Sequence, residues 1–140
     1  MGRRTLFLLA SVALLLLGGC GSSNFDPGVD TPPINVEGTY VSGDTGGALG
    51  HLTLQLALRE NAVRTYEANL TSQDKPDFGE SLGIGTVGNE HLILNFDRGE
   101  DTDYYFEGTV QLSGSVVTGI AGSFIFPDQS EPLPSTFTRQ

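Results

Sequence analysis

The chain has no tryptophan, one methionine and one cysteine, Cys20. Bases are scarce, with seven Lys and Arg against 17 Asp and Glu and a formal charge of −10. Two of those bases, Arg3 and Arg4, stand at the extreme N-terminus. Without residues 1–19 the bases fall from seven to five while all 17 acids stay, which leaves −12. So acidic a surface argues against a nucleic-acid partner and against docking on anionic lipid by charge; it suits solubility, cations or a basic protein partner. Long hydrophobic runs are also missing. The longest is the twelve-residue stretch Leu6 to Leu17, well short of the ~20 residues a membrane-spanning helix needs. After it, no stretch has a helical period. There is no G-x-S-x-G nucleophile elbow, and no glycine run between a strand and a helix that would cradle phosphate. Nothing points to an enzyme or calls for a cofactor.

What is present at the N-terminus is a basic start, Met1-Gly2-Arg3-Arg4, then the apolar run, then Leu17-Gly18-Gly19-Cys20. That order of segments has the architecture of an export signal. Leu17 to Cys20 resembles the lipobox of bacterial lipoproteins, commonly L-[AS]-[GA]-C. The resemblance implies cleavage between Gly19 and Cys20 and attachment of acyl chains, palmitate among them, to Cys20. The chain would then sit in the cell envelope, held to the membrane by that lipid. With Cys20 acylated no thiol is left for a disulfide, for thiol catalysis or for a thiolate metal site. Each buried methylene contributes ~0.8 kcal/mol, so two or more chains make a stable anchor. Gly21, not Asp, follows the cysteine; by the sorting rule of enteric-type lipoproteins this implies the outer membrane.

Three segments are expected: a signal peptide over 1–19, a lipidated flexible tether over 20–34 and a folded domain over 35–140. The tether is rich in Ser, Asn, Asp, Gly and Pro, with Asp26-Pro27-Gly28 and Thr31-Pro32-Pro33 as stiff points. At an r.m.s. reach of ~5–6 Å × √n it holds the domain about 20 Å from the lipid.

From Val36 onward the hydrophobic period is two. The clearest case is Leu52, Leu54, Leu56 and Leu58, separated by Thr53, Gln55 and Ala57. Leucines at that spacing share one face of a strand and cannot share one face of a helix. Eight strands are predicted: about 35–42, 51–58, 63–71, 81–87, 91–96, 104–113, 116–126 and 135–139. The fourth is expected to carry Leu82 and Ile84. An all-β, eight-stranded antiparallel up-and-down meander removes its two edges most simply by closing into a barrel; a two-sheet β-sandwich is the alternative. Eight strands enclose an interior that side chains just fill or that holds one small ligand. The layout is similar to the calycins, the lipocalin and avidin superfamily. Gly38-Thr39-Tyr40 resembles the lipocalin G-x-W, with Tyr in place of Trp.

In a meander, alternate connections lie at opposite ends. Turns 60–62, 88–90 and 113–115 share one end with the tether. Loops 43–50, 73–80, 97–103 and 127–134 share the other. The long-loop end holds ten acids, including Asp97, Glu100, Asp101 and Asp103, and is the expected docking rim for a basic partner. Asp97 to Asp103 also offers several oxygens to Ca²⁺, but its spacing is not that of an EF-hand, and no metal site is assigned. Arg64 shares parity with Tyr66 and Leu70, so it is expected at the tight-turn end of the interior, facing an acidic ligand group. Tyr66, Tyr104 and Phe106 would line a site for a small apolar ligand, or simply pack the core. His51 and His91 begin strands of opposite direction, so they lie at opposite ends and form no joint site.

Overall fold

A computed structural model of the protein describes residues 33–45, 49–75, 80–97 and 103–140. The expected signal, the expected lipidation site Cys20 and most of the expected tether lie outside these residues, as do Glu100 and Asp101. Eight antiparallel strands follow one another around a closed barrel. They are β1 (Gly38–Asp44), β2 (His51–Leu58), β3 (Thr65–Ser72), β4 (Glu80–Gly88), β5 (His91–Asp97), β6 (Tyr104–Ser113), β7 (Val116–Ile125) and β8 (Leu133–Arg139). Each strand pairs with the next. β1 closes the ring on β8 through Tyr40–Arg139, Val41–Thr138 and Ser42–Phe137. The sandwich alternative is therefore ruled out, and no sheet edge remains unpaired along the ring.

The alternation places one face of each strand inside. β2 reads exposed, buried, intermediate, buried along its length, with Leu52, Leu54 and Leu56 in the core. β5 and β6 do the same with Leu92, Leu94, Phe96, Tyr104, Phe106 and Val110. The outward positions of β3 and β6 are largely polar, among them Glu67, Asn69, Glu107, Thr109 and Gln111. A barrel that spans a membrane is polar inside; the interior here is apolar. Among the described residues no helix is long and apolar enough to cross a membrane.

β4 departs from the expected orientation. Leu82 and Ile84 face solvent, 63% and 40% exposed, while Ser81, Gly83, Gly85 and Val87 face the interior. The reason is volume. A Cβ at Gly83 would lie 2.7 Å from the Phe96 ring, and one at Gly85 would run into the Ile93 carbonyl oxygen and the Leu94 side chain. The large inward residues of β5 occupy the space that side chains at 83 and 85 would fill, so Leu82 and Ile84 go outside while Val87 stays in the core.

The N-terminal boundary also shifts. Residues 35–37 are not strand; β1 begins at Gly38. Val36 is fully buried and Ile34 packs against the core, so the last residues assigned to the tether belong to the folded unit. β3 begins at Thr65, which leaves Val63 and Arg64 in the preceding turn. Among the described residues the core runs from Ile34 to Phe137, and residues 33–140 carry all eight strands of the closed barrel.

Candidate functional site

A cluster of rings packs in the interior. Phe106 lies 4.9 Å from Phe124 and 5.7 Å from Phe137, centroid to centroid. Tyr104 stacks on Phe96 at 5.0 Å and on Phe126 at 4.8 Å. These are the contact distances of packed aromatic pairs. Tyr66, Tyr104 and Phe106, the candidate ligand-lining residues, are all buried, but they do not converge. Tyr66 stands near the start of β3, at the tight-turn end; Tyr104 opens β6 at the long-loop end.

The tight-turn end is closed by the chain's own N-terminal segment. The Tyr40 hydroxyl donates to the Val36 carbonyl at 2.8 Å. The Tyr66 hydroxyl donates to the Ile34 carbonyl at 3.2 Å and accepts from the Val36 N–H at 3.4 Å. Burial raises the pKa of both phenols, opposed at Tyr40 by Arg139 and at Tyr66 by the hydrogen bond with Val36, so both remain donors at neutral pH. Arg139 lies 6.0 Å from the centre of the Tyr40 ring and bonds the Glu37 carbonyl. Arg64 is half-buried at this end, and its carbonyl accepts from the Val87 N–H at 3.0 Å.

The described part of the long-loop end is rich in buried hydroxyls. Among the described residues the four buried polar ones, Ser42, Thr45, Ser81 and Ser135, all belong to it. The Ser42 hydroxyl accepts from the Leu52 N–H at 2.9 Å, and the Ser72 hydroxyl donates to the Leu49 carbonyl at 2.6 Å. His51 and Asp74 stitch the first two loops together. The Asp74 carboxylate accepts from the His51 N–H at 2.7 Å and from Nδ1 at 2.6 Å. These bonds, the backbone one first, hold the Asp74 pKa below its ordinary value. The pairing requires Gly50, whose φ is +69° and whose missing Cβ leaves room for Asp74. The sequence held no signal for this pair, because it depends on how two loops meet. His91, at the other end, pairs with Glu107 at 3.0 Å on the outer face. The two histidines do lie at opposite ends. Among the described residues no three His, Cys, Asp or Glu side chains come together to hold a metal.

Of the four rim acids, Asp97 and Asp103 are described and exposed, closing β5 and preceding β6. They border a groove of about 270 Å³ on the outer wall, lined also by Ile84, Asn95 and Tyr105 and by the edges of Phe96 and Tyr104. The register explains its composition. Ile84 lies beside Asn95, Asn95 beside Tyr105, and Tyr105 beside Ile125. Leu82 stands two residues from Ile84 on the same face, next to Asp97. Ile93, 37% exposed, lies diagonally between Ile84 and Tyr105. The outer wall over β4–β6 is thus an apolar patch with acids at its margins. Its sequence signal was the pair of glycines alternating with Leu82 and Ile84. Comparison with family models, curated proteins and solved structures finds no match to this chain.

Proposed function

We propose that the protein is a lipid-anchored module of the bacterial cell envelope that binds a basic protein partner through the outside of its barrel, without catalysis. The observation that supports this reading is the ring cluster packed in the interior. Rings at packing distance along the lumen, from Phe96 and Tyr104 to Phe106, Phe124 and Phe137, favour the outer surface as the part that meets a ligand. The anchor rests on Leu17 to Cys20 and on the resemblance to a lipobox. The lipid would hold the molecule at the membrane, outer membrane by the sorting rule, and the segment at Ile34 delivers the chain to the tight-turn end. The long loops then point away from the anchor, where binding loops on a rigid scaffold are most useful.

A lipocalin-like carrier of a small apolar ligand is the competing reading, drawn from the eight-stranded closure and Gly38-Thr39-Tyr40. Native mass spectrometry of the whole chain, extracted from the envelope in detergent, separates the two. The expected mass is that of the processed, acylated chain alone. A reproducible additional small-molecule mass would favour the carrier. The anchor is tested by palmitate labelling, which Cys20→Ala should abolish; a labelled mutant would refute it.

A further inference from the structure

The outer wall over β4–β6 has a composition that solubility does not explain. Leu82, Ile84, Ile93 and Tyr105 are 63%, 40%, 37% and 39% exposed and share the outer face, grouped around Asn95. Covering such side chains gains roughly 1.5–3 kcal/mol for each one fully buried. A strand that packs only inward puts its aliphatics inside. β4 puts Gly83 and Gly85 inside and Leu82 and Ile84 out, which leaves an apolar stretch on its outer face. Acids frame the patch: Asp97 beside Leu82, Asp103 in the groove, Glu67 beside Ile84 and Glu107 beside Ile93. No lysine or arginine occurs in β4, β5 or β6.

We infer that this wall is the docking surface for a cationic amphipathic segment of a partner protein. Its apolar side chains seat on Leu82, Ile84, Ile93 and Tyr105, and its Lys or Arg side chains meet Asp97, Asp103 and Glu67. The inference rests on the surface-binding reading above and names the face and the chemistry of the partner. Charge selects among occupants. A second copy in an isologous pairing would bring the same acids against themselves. An anionic lipid surface would meet like charge. A basic segment meets complementary charge at the margin and apolar contact from the four side chains around Asn95, close to the usual division of an interface into core and rim.

The test is nuclear magnetic resonance on isotope-labelled residues 33–140, titrated with a short synthetic peptide of alternating Lys and Leu. Oligolysine and an alternating Glu–Leu peptide serve as controls. Amide shifts should cluster over 82–86, 93–97 and 104–107. The Lys–Leu peptide should bind tighter than either control. The triple variant Leu82→Thr, Ile84→Thr, Tyr105→Thr keeps β-favouring residues at outward positions, so it should retain its fold, checked by its spectrum. It should lose about tenfold in affinity, as removal of central apolar anchors does. Asp97→Asn with Asp103→Asn should weaken binding and flatten its salt dependence. Shifts confined to the long loops, unaffected by the triple variant, would overturn the wall assignment and leave a basic partner at the rim. Absence of shifts with every peptide would overturn both. Concentration-dependent shifts of the same amides without peptide would assign the wall to a second copy instead.

Discussion

β2 and β4 flank β3 in the same wall and look alike in sequence. Each sets an aliphatic at every second position: Leu52, Leu54, Leu56 in one, Leu82, Ile84 in the other. Yet β2's leucines are inside and β4's aliphatics are outside. Alternation defines two faces and leaves open which one is the core. The neighbours decide. β2's inward leucines have room opposite Ala68 and Leu70 of β3. β4 lies next to β5, whose Leu94 and Phe96 reach across Gly83 and Gly85. Where a neighbour supplies the volume, glycine inside and aliphatic outside is the arrangement that packs, and the displaced aliphatics become a surface.

Substitutions on the two kinds of face should therefore differ sharply. The largest effect is expected inside, at the ring cluster. Phe106→Ala should cost about 3–5 kcal/mol, since it empties a fully packed position, and urea denaturation will read it as a lower midpoint at similar slope. Gly85→Ala, a single added methyl on β4's inward side, should cost about 1–3 kcal/mol or more by overpacking against the Ile93 carbonyl. A tolerated Gly85→Ala would mean that β4 does not make room for β5. Smaller is the contribution of the His51–Asp74 stitch, visible as pH dependence. The Asp74 pKa is lower in the folded state than its ordinary value of 3.8. Its stabilisation is thus fully present above that value and lost as pH falls through the lower folded pKa. Asp74→Asn should remove that part of the acid-side slope and leave neutral-pH activity of the wall unchanged; an identical acid-unfolding curve in the variant would discard the stitch. The smallest effect is expected outside. Leu82→Thr should shift stability by no more than about 0.5 kcal/mol, as for an ordinary surface change.

Much of the scaffold was legible in the sequence because period two over eight short segments is a strong signal, and a meander leaves few ways to close. The segregation of long loops and tight turns to opposite ends followed from strand direction alone. What was not legible depended on partners distant in the chain. Leu82 and Ile84 could be assigned a face only once Phe96 was placed. Val36 reads as the start of a strand until Tyr40 and Tyr66 are seen to hold its backbone across the end of the barrel. Of the candidate site, Asp97 and Asp103 were found by their position in an acidic loop. Ile84 and Tyr105 were missed as surface residues because aromatic and aliphatic side chains are read as core by default.

The measurement that bears most directly on a filled barrel working through its outer wall is a fluorescence titration of residues 33–140 with N-phenylnaphthylamine, a small apolar probe that brightens in an enclosed apolar site. The wall variant Leu82→Thr, Ile84→Thr, Tyr105→Thr is titrated alongside. A packed lumen predicts no saturable one-to-one binding in either protein. Saturable binding that persists in the wall variant would place an open site inside the barrel and contradict the account.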